Sequence, residues 1–230
     1  MRKLSRRNRE NIKKTKDQVY SNLDEAIRVL KETATAKFIE SVELHVNLNI
    51  DPKYADQQLR TTVTLPHGIG KQLKIAVLTH DEKFDEAKNA GADIIGNDEL
   101  IENITKGIIN FDLLIVTPNM MPKLAKLGRI LGPKGLMPSP KSGTVTNTLE
   151  QTITEFKKGK FEYKADKTGI VHVSFGKSNF SESQLINNLQ VLYNSIEKNR
   201  PSGVKGKYFK SLFICTSMGP SINLDLTIFS

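Results

Sequence analysis

The stretch SVELHVNLNI, residues 41–50, decides how the rest of the sequence is interpreted. Apolar and polar residues alternate in it without a break, so Val42, Leu44 and Val46 share one face while Glu43 and His45 share the other. This period of two predicts a β-strand with one buried face. We therefore expect the strand to belong to a sheet that is covered on one side.

Four further stretches have a similar β-rich composition, and they come from both ends of the chain. They are RTTVTL (60–65), GIVHVSF (169–175), KSLFICT (210–216) and INLDLTI (222–228). The spacing of apolar residues predicts helices over residues 22–33 and 181–199, and Ser181 with Gln184 resembles a capping box at the start of the second helix. These elements predict an α+β domain whose sheet is assembled from both termini.

The middle of the chain has a different pattern. Its apolar runs are short and nearly continuous, and helical patterns over residues 81–90 and 98–106 separate them: LKIAVLT (73–79), ADIIG (92–96) and FDLLIVT (111–117). Short buried strands that alternate with helices predict parallel βαβ units. The predicted fold class is therefore α/β with two domains, a domain of residues 68–158 being inserted into one of residues 1–67 plus 159–230.

Composition limits the classes of function. No apolar run approaches the roughly 18 residues of a membrane-spanning helix, which predicts no membrane partner. The single cysteine, Cys215, fits a reducing compartment and a packed strand position. Residues 1–16 carry eight Lys or Arg against the single Glu10, a charge of +7 out of a net +9. That patch favours a polyanionic partner such as nucleic acid, with a solvated chain end as the alternative.

The stretch LGRILGPKGLMPSPKSG, residues 127–143, comes close to a nucleotide-binding loop. Residues 135–142 fit G-x-x-x-x-G-K-[ST] except that Pro140 replaces the second glycine. Pro138 and Pro140 remove backbone donors and fix φ, so we do not expect this loop to cradle a phosphate. The four histidines are scattered without ligand spacing, and no nucleophile with a base can be specified. The sequence predicts no catalytic residue, no metal and no cofactor.

A basic surface is predicted in the middle domain. Residues 113–149 contain no acid, and their five cations are Lys123, Lys126, Arg129, Lys134 and Lys141. A rigid Gly/Pro loop with fixed cations suits a shaped RNA, because little entropy is lost on binding. A structural connection with incidental lysines is the alternative.

The stretch LGRILGPKGLMPSPKSGTV resembles the central signature of the ribosomal protein L1 family. The resemblance covers essentially the whole chain, continuing through TATAKFIESVELHVNLNIDPKYADQQLRTTVTLPHGIGK, EYKADKTGIVHVSFGK, NRPSGVKGKY and TSMGPS. It implies a discontinuous α+β sandwich built from both termini, with an inserted Rossmann-like three-layer α/β domain. It also implies a structural protein of the large ribosomal subunit, monomeric when free, that forms the mobile stalk beside the tRNA exit site.

The same resemblance implies the principal contact surface for the stalk helices of large-subunit rRNA. Three motifs supply it: Lys37, Phe38, Ser41 and Glu43; Asp166, Lys167, Thr168 and His172; and Thr216, Ser217, Met218, Gly219 and Pro220. Lysines suit phosphate, whereas hydroxyls and backbone groups suit 2′-hydroxyls and base edges. The two acids would either accept hydrogen bonds from RNA or orient Lys37 and Lys167. From the residues alone, the preferred interpretation is that Phe38 is a core aromatic and Glu43 an outward-facing strand residue.

Exit-site tRNA and the rest of the large subunit are the other partners that the resemblance implies. Bacterial members also bind their own messenger RNA and repress translation, which the sequence leaves open for this chain. Blocks such as IDPKYADQQLRTTV look most like plastid and cyanobacterial members, which predicts the plastid (chloroplast) ribosome, with the bacterial cytoplasm as the alternative. Two further functions also stay open, a nucleotide-using enzyme and a free RNA chaperone.

Overall fold

A computed structural model describes residues 5–15 and 18–229 of the 230-residue chain. These residues form a mixed α/β protein with three sheets. The helices are α1 (Arg6–Thr15), α2 (Leu23–Thr33), α3 (Phe84–Asn89), α4 (Asp98–Thr105), α5 (Met121–Ala125), α6 (Gly128–Leu131), α7 (Leu149–Lys157) and α8 (Glu182–Lys198). The strands are β1 (Val19–Tyr20), β2 (Ser41–Leu48), β3 (Arg60–Thr64), β4 (Ile75–Leu78), β5 (Ile94–Gly96), β6 (Leu113–Val116), β7 (Lys160–Lys164), β8 (Ile170–Lys177), β9 (Phe209–Thr216) and β10 (Ile222–Leu224).

The chain divides into two compact units. Unit 1 is Met1–Gly70 with Glu162–Ser230, and unit 2 is Lys71–Phe161. Each border lies three residues beyond the one predicted from the sequence. Among the described helices, none is long and apolar enough to cross a membrane.

Unit 1 is built on a five-stranded sheet with the order β1-β10-β9-β2-β8. The predicted strand β2 lies between β8 and β9 and is antiparallel to both. Val42, Leu44 and Val46 are fully buried, which confirms the predicted alternation. Helices α2 and α8 cover this side of the sheet with fully buried apolar residues: Ala26, Ile27, Leu30, Leu185, Leu189 and Leu192. The polar residues of β2 therefore lie on the side that these helices leave uncovered.

Helix α8 begins at the predicted capping box. The Ser181 hydroxyl accepts a hydrogen bond from the Gln184 backbone N–H at 3.2 Å, and the Gln184 side chain accepts one from the Ser181 N–H at 3.0 Å. Both bonds satisfy amides that the first turn of a helix otherwise leaves unpaired.

A buried asparagine of α8, Asn188, holds the chain where it leaves unit 1. Its Oδ1 accepts a hydrogen bond from the His67 N–H at 3.2 Å. Its Nδ2 donates to the carbonyl oxygens of Gly68 at 3.0 Å and of Phe175 in β8 at 2.8 Å. One side chain thus ties together α8, β8 and the end of the first segment of unit 1.

Unit 2 contains the parallel sheet β5-β4-β6, which confirms the predicted parallel strands. Ile75 and Val77 pack in one apolar cluster with residues of α3 and α7, whereas Ala76 and Leu78 pack in a second cluster with residues of α4, α5 and α6. Successive residues of β4 therefore enter cores on opposite faces of the sheet. This explains why the strand is a continuous apolar run.

Two parts of unit 1 differ from the prediction, and the structure adds a helix in the basic segment. Strand β3 pairs with β7 in a separate two-stranded sheet and does not join the main one. The predicted strand over residues 222–228 ends at Leu224, because the Asp225 carboxylate accepts a hydrogen bond from the Thr227 N–H at 3.0 Å and turns the chain into a 3₁₀ segment. Of the basic segment 1–16, residues 6–15 form α1, and residues 1–4 and 16 lie outside the described residues.

We predict that Asn188→Ala lowers the free energy of unfolding by about 2–4 kcal/mol, because it removes three hydrogen bonds at once and leaves the buried Phe175 carbonyl without this partner. Urea unfolding followed by circular dichroism measures this loss. The neighbouring Asn187→Ala is the matched control and should change stability by less than about 0.5 kcal/mol, since Asn187 is exposed. Equal losses for the two variants would contradict the assignment.

Candidate nucleic-acid interface

The uncovered side of the main sheet, which we call the open face, carries the polar residues of β2 and their cross-strand neighbours. Glu43 lies between Ser174 of β8 and Cys215 of β9. In the next row, His45 lies between His172 and Phe213. All of these residues are half-buried or exposed. The predicted residues Ser41, Glu43 and His172 therefore share one accessible surface.

Two loops lie at the end of the open face where β2 begins, residues 34–40 and 217–221. Three large apolar side chains on them are exposed: Phe38 by 56%, Ile39 by 58% and Met218 by 51%. The interpretation of Phe38 as a core aromatic is wrong, because more than half of its surface is accessible. Apolar groups exposed together in this way are typical of contact surfaces. Ile39 was not predicted, although it stands beside Phe38 in the same motif.

A buried carboxylate joins the two loops. Glu40 is 1% exposed, and its Oε1 accepts a hydrogen bond from the Ala36 N–H at 3.0 Å while its Oε2 accepts one from the Met218 N–H at 2.9 Å. This residue was not predicted. The sequence does contain a clue to its role. Glu40 is two residues before Val42 and four before Leu44, so the strand alternation places it on the buried side, where an acid needs hydrogen-bond partners.

The motif of residues 216–220 combines shape with one large exposed side chain. Thr216 is 2% exposed on the helix-covered side, and a Cβ on Gly219 would lie 2.3 Å from its hydroxyl, so this close approach requires glycine. The Ser217 hydroxyl accepts a hydrogen bond from the Ser41 N–H at 3.1 Å, and the Ser217 N–H donates to the Ser41 carbonyl at 3.0 Å. Thr216, Ser217 and Gly219 thus shape the loop, Pro220 is half-buried, and Met218 projects.

The opposite end of the open face is a turn stabilised by Asp166. Its Oδ1 accepts hydrogen bonds from the N–H groups of Thr168 and Ile170 at 2.9 and 2.8 Å and from the Thr168 hydroxyl at 2.7 Å. The bond from the Ile170 backbone, followed by that from the Thr168 side chain, lowers the pKa of Asp166. The turn leaves Lys167 exposed.

Neither acid of the predicted site orients a lysine. Among the described residues, no acid lies within ion-pair distance of Lys37 or Lys167, both of which are exposed. Asp166 bonds its own turn, and the Glu43 carboxylate lies 3.8 Å from the ring of His45. The charges of both lysines therefore remain available for phosphate groups.

Two histidines that are far apart in sequence meet on the open face. Nδ1 of His45 lies 2.7 Å from Nδ1 of His172, and Nε2 of His45 lies 3.1 Å from the Cys215 sulfur. Burial, and secondarily the charge of His172, lower the pKa of His45. Burial, and secondarily Glu43, raise the pKa of Cys215 to about 11. The four histidines are scattered in the sequence, but the fold brings these two together.

The two loop clusters lie at opposite ends of strands of eight residues. At about 3.3 Å per residue, they are roughly 25 Å apart. A surface of this length, with apolar groups at one end, polar groups in the middle and a lysine at each end, suits a folded nucleic acid better than a mononucleotide.

The basic surface of unit 2 contains one neutralised cation. Nζ of Lys123 lies 2.7 Å from a carboxylate oxygen of Asp98. The other four cations are exposed, with no ion pair among the described residues: Lys126, Arg129, Lys134 and Lys141. In the stretch that resembles a nucleotide-binding loop, the Ser142 hydroxyl is buried and donates to the Ser139 carbonyl at 2.9 Å. It is thus engaged within its own loop.

Comparison with known proteins places this geometry in context. A profile of the ribosomal protein L1p/L10e family matches residues 30–220. The chain is 77% identical over 230 residues to the large ribosomal subunit protein uL1c of Phaeodactylum tricornutum, and 76% identical over 229 residues to that of Trieres chinensis, with all of each chain covered. It is 59% identical over 226 residues to the large ribosomal subunit protein uL1 of Thermosynechococcus vestitus, covering 98% of this chain and 95% of that one.

We predict that Glu40→Gln lowers the free energy of unfolding by about 1.5–3 kcal/mol, because the amide group of glutamine meets one N–H donor with another donor. The amides of Ala36 and Met218 should then exchange their hydrogens at least tenfold faster, which NMR measures. Glu43→Gln, a half-buried neighbour on the other face, should leave both amides protected. Unchanged exchange in the Glu40 variant would show that the carboxylate does not hold the loops together.

Proposed function

This chain belongs to the ribosomal protein L1p/L10e family, and we propose that it binds folded large-subunit rRNA through the open face of unit 1 and the loops at both of its ends. It is a non-enzymatic structural component of the large ribosomal subunit and part of its L1 stalk. Its place is the plastid ribosome, because relatives with 77% and 76% identity along the whole chain are uL1c proteins. The nucleotide-using enzyme and the free RNA chaperone are therefore set aside.

The observation that carries the proposal is the exposed apolar surface of Phe38, Ile39 and Met218 on loops joined by the buried Glu40. A phenyl ring and a thioether can pack on unstacked bases and on sugars, and the stacking of a base on an aromatic ring is worth about 1–3 kcal/mol. Because hydrogen bonds already fix the backbone of both loops, little conformational entropy is lost on binding.

Polar and charged groups supply the remaining contacts. Ser41, Glu43 and His172 offer donors and acceptors for 2′-hydroxyls and base edges, and Lys37 and Lys167 supply phosphate contacts near the two ends. Helix α1 adds cations without an acid in its first turn. The donors and acceptors of Ser41, Glu43 and His172 account for specificity. The lysines and the cations of α1 account for the salt-dependent part of the affinity.

Unit 2 supplies a second surface, which we assign to tRNA at the exit site. Its four exposed cations, which form no ion pair within the described part of the chain, lie on a segment whose apolar residues Leu127 and Leu131 are buried in the core of the unit. Fixed cations on an anchored segment suit the phosphate backbone of a structured RNA. This contact depends on the charge and shape of the RNA, so it is less sequence-specific than the contact made by the open face.

We predict that Met218→Asp weakens binding to a stalk rRNA fragment by about tenfold to a hundredfold, because an apolar contact is replaced by a charge that repels phosphate. Lys123→Ala is the control and should change affinity by less than about threefold, since Asp98 already neutralises this lysine. Filter binding measures both affinities. The opposite order, or equal affinity of the unmodified protein for a scrambled hairpin, would overturn the assignment to the open face.

We also predict that Arg7→Gln combined with Lys13→Gln flattens the salt dependence of rRNA binding. Each lost phosphate contact should reduce the slope of log affinity against log salt by about 0.7–0.9. Lys88→Gln with Lys106→Gln removes the same charge from helix α3 and from the residue that follows α4 in unit 2, and it should leave the slope unchanged. A slope unaffected by the α1 substitutions would mean that this helix does not contact RNA.

A further inference from the structure

Three different ligand types meet near the centre of the open face. Nε2 of His45 lies 3.1 Å from Sγ of Cys215 and 3.8 Å from a carboxylate oxygen of Glu43, and all three ligand atoms lie within 4.8 Å of one another. Tetrahedral Zn²⁺, with bonds of about 2.0–2.3 Å, separates its nitrogen, sulfur and oxygen ligands by about 3.3–3.6 Å. The two distances from His45 lie on either side of that spacing, and the Cys215 and Glu43 ligand atoms are within 4.8 Å of each other, so side-chain rotations can bring the set to coordination geometry.

The neighbouring residues favour the histidine tautomer that a metal requires. A carboxylate oxygen of Asp166 lies 3.8 Å from Nε2 of His172, and its negative charge favours a proton there. Nδ1 of His172 then accepts a hydrogen bond, so the proton between the two rings belongs to Nδ1 of His45. Glu43 lies at the same 3.8 Å from Nε2 of His45, but the Cys215 thiol is closer, at 3.1 Å, and can donate its S–H there, so this nitrogen keeps its lone pair until a metal replaces that proton. Metal-binding histidines commonly donate their other N–H in this way.

The charge of the three side chains and their accessibility to solvent also suit a divalent metal ion. A thiolate and a carboxylate together balance a divalent cation, which compensates for placing them side by side on a half-buried surface. The side chains of His45 and Glu43 keep 26% and 37% of their surface accessible, so an ion can enter from solvent. Three protein ligands on an accessible face leave a fourth position for water.

We propose that Glu43, His45 and Cys215 form a binding site for Zn²⁺ or a similar borderline-soft divalent cation, with His172 as the positioning residue. The site needs no RNA to form. Only one extension rests on the proposed function: with rRNA bound, a phosphate oxygen can take the fourth position in place of water, so the ion bridges the open face and the nucleic acid.

The test uses the full-length, reduced, RNA-free protein. Zn²⁺ is titrated in competition with a chromophoric chelator, and Co²⁺ is used as a spectroscopic substitute. We expect one equivalent of Zn²⁺ to bind, unaffected by excess Mg²⁺, and a near-ultraviolet charge-transfer band that reports a thiolate bound to Co²⁺. Failure to compete with a chelator of micromolar affinity would overturn the proposal.

Variants separate the ligands from their surroundings. Cys215→Ser should abolish the charge-transfer band and weaken Zn²⁺ binding at least tenfold, and His45→Gln should weaken it similarly. His172→Ala should weaken binding about 10–100-fold while the band persists at saturation, and His172→Asn, which keeps an acceptor, should recover part of the loss. His67→Gln, a histidine of unit 1 outside the cluster, is the control.

Thermal unfolding without metal shows whether each variant is folded. If Cys215→Ser does not fold, His45→Gln takes its place as the variant that tests the site. Binding by Cys215→Ser or His45→Gln that equals the unmodified protein would overturn the site. Since no RNA is present and Met218 is unchanged, this failure is distinguishable from a failure of the proposed rRNA contact.

Discussion

The pairing of β2 with β8 and β9 is the constraint on which unit 1 depends. Its strict alternation means that a slip of one residue would move Glu43 and His45 into the core and Leu44 to the surface, so the register is strongly specified. That register aligns segments more than a hundred residues apart in the chain. It brings His172 beside His45, places the Asp166 turn at one end of the open face, and sets the loop of Met218 at the other. Both the proposed RNA surface and the proposed metal site follow from it.

Acidic residues have an indirect part in this basic protein. Glu40 and Asp166 accept hydrogen bonds mainly from backbone N–H groups, so they shape the two ends of the open face without neutralising Lys37 or Lys167. An acid paired with either lysine would reduce its attraction for phosphate. Acids bonded to amides instead stabilise the loops that present the lysines. The acids fix the backbone of the loops and the lysines attract phosphate. Because different residues do these two things, the surface has both a fixed backbone and available positive charge.

The fold could be predicted from the sequence wherever one local pattern decides it, and less well where distant contacts do. The alternation of β2, the capping box at Ser181 and the apolar runs of unit 2 each carry their information within a few residues, and these elements are present. Strand composition alone could not show that β3 leaves the main sheet for β7, and alternation missed the turn at Asp225. The RNA-site residues came from family resemblance. Their neighbour Glu40 was detectable by parity, whereas the contact of His45 with His172 and Cys215 depends on a register that sequence spacing does not reveal.

The buried Asn188 has a mechanical consequence. It bonds His67 and Gly68 on one side and Phe175 on the other, so a force that pulls on the chain beyond Gly68 loads α8 and β8 before it reaches the rest of the sheet. Three hydrogen bonds loaded together resist such tension better than a single bond would. Asn188 therefore anchors the chain at the point where it leaves unit 1. Tension on the chain beyond Gly68 is taken up at this anchor, and the centre of the open face keeps its shape.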